Sequence, residues 1–355
     1  MKLKSAFLAT TALLAAGSAS AMDVTAYGQV NKLVASVDNG TDTNTAIVDN
    51  DASSTRFGFK AQQQLENGLV VSGLLELQSE SNSSYSITAS DNENNEEASG
   101  ISERHSRIGI GSDYGTFMIG KTSESTDGIS ENDLGGVKDV MYSDVNAIGG
   151  AADFVKKSDG TNTTSKINTL YSNFDGGRTN LVRYDSPAIN GVSGSVSSSS
   201  GGDLALAAKY SGKVDRFKIK AGLGMKKHSS SNTGSTIDQD ISGSVSVKCE
   251  ESGVAATVAM GQRSFEANGR KDADFMYTKL SYMPVGSNFE YAVDYAASEG
   301  VSANKEELTA YGVGAQYNIA KGVSTSVMYR QFEADKIADS AEDISVISAG
   351  LKVKF

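Results

Sequence analysis

The C-terminal run Ile347-Ser348-Ala349-Gly350-Leu351-Lys352-Val353-Lys354-Phe355 is apolar at its odd positions and polar or small at its even ones. A period of two is that of a strand with one face in an apolar medium and the other in water. The same alternation recurs upstream. Phe217, Ile219, Ala221, Leu223 and Met225 alternate with Lys218, Lys220, Gly222, Gly224 and Lys226, and Ile241, Gly243, Val245, Val247 and Cys249 with serines and Lys248. Phe289, Tyr291, Val293 and Tyr295, then Thr309, Tyr311, Val313, Ala315, Tyr317 and Ile319, continue the pattern.

Short turn signals separate these runs on one side: Glu66-Asn67-Gly68, Asp113-Tyr114-Gly115, then 187–191, 211–215, 250–253, 283–286 and 319–322. The opposite connections, such as 38–51, 81–102 and 334–343, are longer and polar. Seven turns pair fourteen strands, and terminal strands near 23–37 and 344–355 close a ring of about sixteen. The expectation is an all-β, 16-stranded antiparallel transmembrane barrel in a single domain. One connection, about 122–176, is far longer than an ordinary loop. By itself it reads either as a solvated external loop or as one folded into the lumen.

The first stretch reads as an export signal. Lys2 and Lys4 precede an apolar segment at 6–16, and Ala19-Ser20-Ala21 supplies small residues for cleavage. The mature chain is then expected to span 22–355, and loss of the two lysines takes its net charge from −11 to −13. That acidity argues against nucleic acid as a partner and suits a surface among anionic lipopolysaccharide. Cys249 is the only cysteine, so no internal disulfide forms. It is expected to be a buried free thiol on the apolar face of its strand. Outward Tyr282, Tyr295 and Tyr317 suit aromatic girdles at the membrane interfaces. The two histidines, His105 and His228, sit in no nucleophile, zinc or phosphate-loop motif. No catalysis, cofactor or metal is expected.

Several fragments, in order, resemble the trimeric general porins of Gram-negative outer membranes. They are Tyr27-Gly28-Gln29, the run Ser54-Thr55-Arg56-Phe57-Gly58-Phe59-Lys60, Leu74-Leu75-Glu76 and Arg107-Ile108-Gly109. Tyr114-Gly115-Thr116-Phe117, Asp133-Leu134-Gly135-Gly136, Arg183-Tyr184-Asp185-Ser186-Pro187 and the terminal Phe355 follow. The resemblance implies a homotrimer in lipid and lipopolysaccharide, assembled through recognition of Phe355 and passing small hydrophilic solutes and ions. It also implies that the third loop folds into the lumen. The site expected from it is a constriction. Arg56, Lys60, Glu76, His105, Arg107 and Arg183 stand on the wall, with Asp185 where enterobacterial members carry an arginine. Asp127, Glu131 and Asp133 face them from the loop, Asp133 opposite Arg56.

Other inward cations, namely Lys218, Lys220, Arg263 and Arg330, are expected to be solvated wall residues. The net charge points to weak cation preference. Two rivals stay open beside the passive pore, a solute-selective channel and a non-conducting structural or adhesive barrel.

Overall fold

The computed structural model describes residues 22–90, 100–229, 237–266, 270–337 and 340–355. The expected export signal lies outside them. Strands β1 (Asp23–Asp38), β2 (Thr43–Asp49), β3 (Arg56–Gln64), β4 (Val70–Glu80), β5 (Gly100–Ser112) and β6 (Gly115–Ser123) begin the wall. A long connection holds β7 (Asp153–Val155), β8 (Asn162–Lys166) and a single helical turn, Ile167–Leu170. The wall resumes with β9 (Arg178–Asp185), β10 (Val192–Ser199), β11 (Leu204–Val214), β12 (Phe217–Lys227) and β13 (Ile237–Cys249). It ends with β14 (Val254–Phe265), β15 (Ala273–Tyr282), β16 (Phe289–Glu299), β17 (Glu307–Ala320), β18 (Val323–Asp335) and β19 (Ile344–Lys354).

Every wall strand is antiparallel to its neighbours, and the sheet closes on itself. β1 pairs on one side with β19, from Gln29↔Lys354 to Asp38↔Ser345. On its other side the upper half pairs with β2 and the lower half with β3. β2 and β3 are thus one wall strand broken by a short 3-10 turn, Asp51–Ser53, capped by Asn50. Among the described residues the wall has sixteen strands. The expected polar loop at 38–51 is mostly wall: a tight turn at 39–42 joins β1 to β2. Six of the seven short turns lie where the sequence puts them; the one expected at 211–215 is tighter, because β11 runs on to Val214 and the chain reverses at Asp215 and Arg216. At 250–253 the turn demands glycine, because Gly253 has φ +75° and a Cβ there would lie 1.9 Å from the Met283 carbonyl oxygen.

Closure gives the wall two faces. One carries large apolar side chains left exposed, among them Ile108, Ile119, Val293, Val313, Val327 and Ile347. An apolar belt of this extent belongs in lipid. Its edges are aromatic on β16 and β17. Phe289 packs on Tyr317 with ring centroids 4.6 Å apart, and Tyr295 on Tyr311 at 5.5 Å. These pairs stand six residues apart, about 20 Å along the strand, with the Val293↔Val313 pair between them. Cys249 is free on this face but only partly covered, so the expected buried thiol is corrected. It stands at the strand end beside the 250–253 turn, where little packs over it.

The opposite, polar face carries the 124–177 connection. Ile129, Val137, Met141, Phe154, Ile167, Leu170, Tyr171 and Phe174 of that segment are buried against Phe275, Tyr277, Leu308, Phe332, Ile344 and Val346 of the wall. Glycines let it approach closely. A Cβ on Gly222 would fall 2.6 Å from Ile129 Cδ1, and one on Gly224 3.3 Å from Ile129 Cγ1. The molecule therefore has an apolar core on the face that alternation marks as polar, confined to the strands this segment covers.

The two faces predict opposite tolerance. Val293→Arg is expected to cost about 2–4 kcal/mol in urea unfolding from lipid vesicles. Ser195→Arg, on the polar face of β10, is expected to change stability by less than about 0.5 kcal/mol.

Candidate functional site

Glu76 on β4 organises one side of the polar face. Its carboxylate accepts from Tyr27 Oη at 2.8 Å and from Arg104 Nε at 2.8 Å, and lies 3.7 Å from Arg56 Nε. Arg104 also donates to Gln78 Oε1 at 2.6 Å and to Ser54 Oγ at 3.2 Å. Two guanidinium groups share one carboxylate, so the group carries net positive charge. Sequence reasoning missed Arg104. The register slips between Glu76↔His105 and Leu77↔Glu103, a bulge that turns Arg104 and His105 to the same face.

The other wall candidates flank this group. His105 Nδ1 lies 3.1 Å from Thr122 Oγ1. Lys60, one pleat below Gly58, holds its ammonium 4.6 Å from the centroid of the Tyr27 ring, within cation–π range. Arg107 is directly opposite Leu74 in the β4–β5 ladder. Arg183 donates to Asp185 Oδ1 at 2.8 Å on its own strand, and to the Ser123 and Glu124 carbonyls at 2.9 and 3.1 Å. It thereby ties the start of the loop to β9.

Across from them stand loop acids. Asp127 pairs with Arg178 at 3.4 Å, and Arg178 is within electrostatic reach of both Arg56 and Glu131. Glu131 keeps contact with water, yet protein encloses it on most sides. That enclosure, then the charges of Asp144 and Asp127, push its carboxyl up to about 7. Burial first, then Glu131, raises Asp175 well above the ordinary carboxylate range, although Ser130 N donates to its Oδ1 at 2.8 Å. Burial likewise raises Asp144 to about 6. The acid side is thus larger than expected, gaining Asp144 and Asp175, and less ionised near neutrality.

Asp133 is elsewhere. It was expected opposite Arg56 with Asp127 and Glu131, but it is 4% exposed and sits against β14 and β15. Its carboxylate pairs with the ammonium of Lys279 and accepts from Thr257 Oγ1 at 2.9 Å and Gly135 N at 2.7 Å. Lys279, fully buried, also donates to the carbonyls of Gly136 at 2.9 Å and Met141 at 3.0 Å. The ammonium thus donates to two loop carbonyls and is ion-paired with a loop carboxylate. The expected solvated cations differ in the same way. Arg330, 2% exposed, pairs with Asp294 and donates to the Val145 carbonyl at 3.2 Å. Arg263 chelates Asp240 at 2.7 and 2.9 Å and lies 4.6 Å from the Phe174 ring centroid. The loop covers these cations and uses them as anchors. Lys218 remains about half exposed, and Lys220 is exposed.

A family described as Gram-negative porin matches residues 9–337. No curated protein sequence matches the chain. The anion-selective porin from Comamonas acidovorans is similar in structure, with TM-score 0.67 and 16% identity over 94% of this chain and 100% of that one. The trimer form of Vibrio cholerae OmpT gives TM-score 0.62 at 14% identity over 94% and 100%. Salmonella typhi OmpF, in complex with daunomycin, gives 0.57 at 14% over 94% and 97%. At these identities the likeness is one of fold.

Two outcomes follow from the geometry. Lys279→Met leaves the Asp133 carboxylate buried without its cation and is expected to cost about 3–5 kcal/mol in urea unfolding. The double variant with Asp133→Asn is expected to recover most of that loss. For Glu131, the unfolded carboxyl ionises near its ordinary 4.5 and the folded one near 7. Its stabilising effect is complete below the lower value and is lost as pH rises through the upper one. Raising the pH from about 5 to about 8 is therefore expected to lower the urea midpoint of the wild type more than that of Glu131→Gln.

Proposed function

Because this chain belongs to the Gram-negative porin family, we propose that its loop at 124–177 narrows the lumen to a charged constriction. The protein is an outer-membrane channel of multi-pass β-barrel type for passive diffusion of small hydrophilic solutes. What supports the constriction is the attachment of the loop to the polar wall on strands far apart around the ring. Asn132 N donates to Ser244 Oγ at 3.0 Å, Val137 N to Glu290 Oε2 at 3.0 Å, and Ser324 Oγ to Asp139 at 2.9 Å. A segment bound from β13 to β18 on the face away from lipid occupies part of the interior. What remains open is bounded by Arg56, Arg104, Arg107, Arg178 and Arg183 on one side and Asp127, Glu131 and Asp175 on the other.

Charge of opposite sign across a narrow opening sets a transverse field. Polar solutes orient in that field and cross, whereas an apolar solute must displace water held by it. No covalent step is involved. In this reading Asp133, Lys279, Asp294 and Arg330 position the loop and do not meet the solute.

The chain also assembles, in this reading, as a homotrimer. Support comes from the outer wall of β5, β6 and β9, where the opposed pairs Ser106↔Lys121 and Lys121↔Asn180 put polar groups on the lipid-facing parity. A cation facing hydrocarbon is costly, and a protein neighbour removes that cost.

Single-channel recording in a planar bilayer tests the constriction. Stable openings are expected, with closures in threes at high voltage. Arg56→Ala with Arg104→Ala should move selectivity towards cations, and Asp127→Asn with Glu131→Gln towards anions. Folded protein without conductance, or two unchanged reversal potentials, would overturn the assignment.

A further inference from the structure

We propose that the lumen wall below the constriction is an anion track built by β11, β12 and β13, so that the channel prefers small anions although the chain is acidic overall. This deepens the pore reading above and rests on it. The observation is a row of lysines in direct register. Lys213 is opposite Lys218 across β11 and β12, and Lys218 is opposite Lys248 across β12 and β13. Adjacent strands are about 4.8 Å apart, so three ammonium groups start from backbone positions within about 10 Å of one another.

Like charges directly opposite in a ladder destabilise it, and one carboxylate serves two of these three. Glu250, in the adjoining turn, pairs with Lys213 and with Lys218 at 2.5 Å. Lys248 instead points to the thioether of Met283, 3.1 Å from Nζ, a weak acceptor. The row does not end there. Lys220 lies one pleat above Lys218, opposite Ser211 and Ser246. Lys209 lies two pleats above Lys213, within electrostatic reach of Arg183 and of the loop acid Asp127. Among the described residues neither Lys209 nor Lys220 is in an ion pair.

The acids on this face are few and already matched. β11 to β13 carry two acids, Asp240, chelated by Arg263, and Asp238 at the bulge, paired with Lys227. Of the two remaining lysines of these strands, Lys227 pairs with Asp238, and Lys226 is neutralised by Glu124 at 2.9 Å and Asp203 at 3.3 Å. The uncompensated charge is therefore positive from the short-turn side up to the arginines of the constriction. A chloride, a phosphate or a small carboxylate entering from the short turns meets a series of ammonium groups, of which those of Lys213, Lys218 and Lys220 are exposed.

The test is the reversal potential of the mature protein in a bilayer under a KCl gradient, compared with the variant Lys213→Gln, Lys218→Gln, Lys248→Gln. Wild type is expected to show the anion-preferring sign. The triple variant should keep its conductance while its anion-to-cation permeability ratio falls by about fivefold, a difference that fades at high ionic strength. A cation-preferring wild type, or a triple variant with an unchanged ratio, would overturn the track and leave the pore intact. A folded wild type without conductance would instead overturn the pore reading, and the track with it.

Discussion

No lipid tail can accept or donate a hydrogen bond, so every peptide group in the membrane must find its partner in the chain. A sheet satisfies that demand only when its first strand meets its last, and here β1 and β19 do so over ten opposed pairs. The rest of the molecule follows from this closure. Once the ladder is a ring, side-chain parity becomes radial position, and each residue is committed either to hydrocarbon or to the interior. The break between β2 and β3 shows how firmly the ring is held. The chain turns aside at Asp51–Ser53, while β1 continues and pairs with the segments on both sides of the gap.

Inside a ring, a connection of more than fifty residues needs its own support, because the wall offers it mainly small polar side chains. Two devices supply it. Glycine and serine on β12 and β13 leave room for Ile129 and bond the backbone near Asn132 and Leu134. Beyond β14 the wall turns apolar on its inner parity, and Phe275, Tyr277, Leu308 and Phe332 form a core with the loop. The buried pairs Asp133–Lys279 and Asp294–Arg330 sit within this packing. Buried pairs contribute little net stability after desolvation, but a displaced loop would leave each charge unpaired. They therefore fix where the loop lies rather than how stable the barrel is. On the reading proposed above, the loop fills one side of the interior and leaves solutes the arc from β3 to β13.

How much of this is legible in the sequence depends on whether a residue's environment follows from its own strand. The turns, the terminal strands and the outward aromatics do, because period-two alternation and turn glycines are local signals. Arg56 and Glu76 are also reachable, since β3 and β4 alternate without a break. Arg104 is not, because the bulge reverses parity. One trace survives: Ile101 and Ile108 both face outward although their spacing is odd, which an unbroken strand forbids. Lys279 and Arg330 look in sequence like any inward wall cation. Their burial comes from a loop more than a hundred residues away, which no alternation reports. Asp133 was misplaced for the same reason, since its glycine-rich motif says where it sits in the loop and not which wall the loop leans on.

Net charge misleads in a similar way. It sums residues that an ion never meets with those lining its path, and closure of the ring separates the two. Acids that do reach the interior are mostly consumed by structure: Asp133, Asp139, Glu124 and Asp294 each hold a cation. Others, Glu131 and Asp175, are held towards their neutral forms by enclosure and by each other. Lys220 and Lys248, on β12 and β13, pair with no carboxylate among the described residues, whereas Lys226 is held by Glu124 and Asp203. On the track proposed above, an acidic chain presents a basic wall, and the cause is the placement of the loop, which pairs the charges it covers with partners of its own.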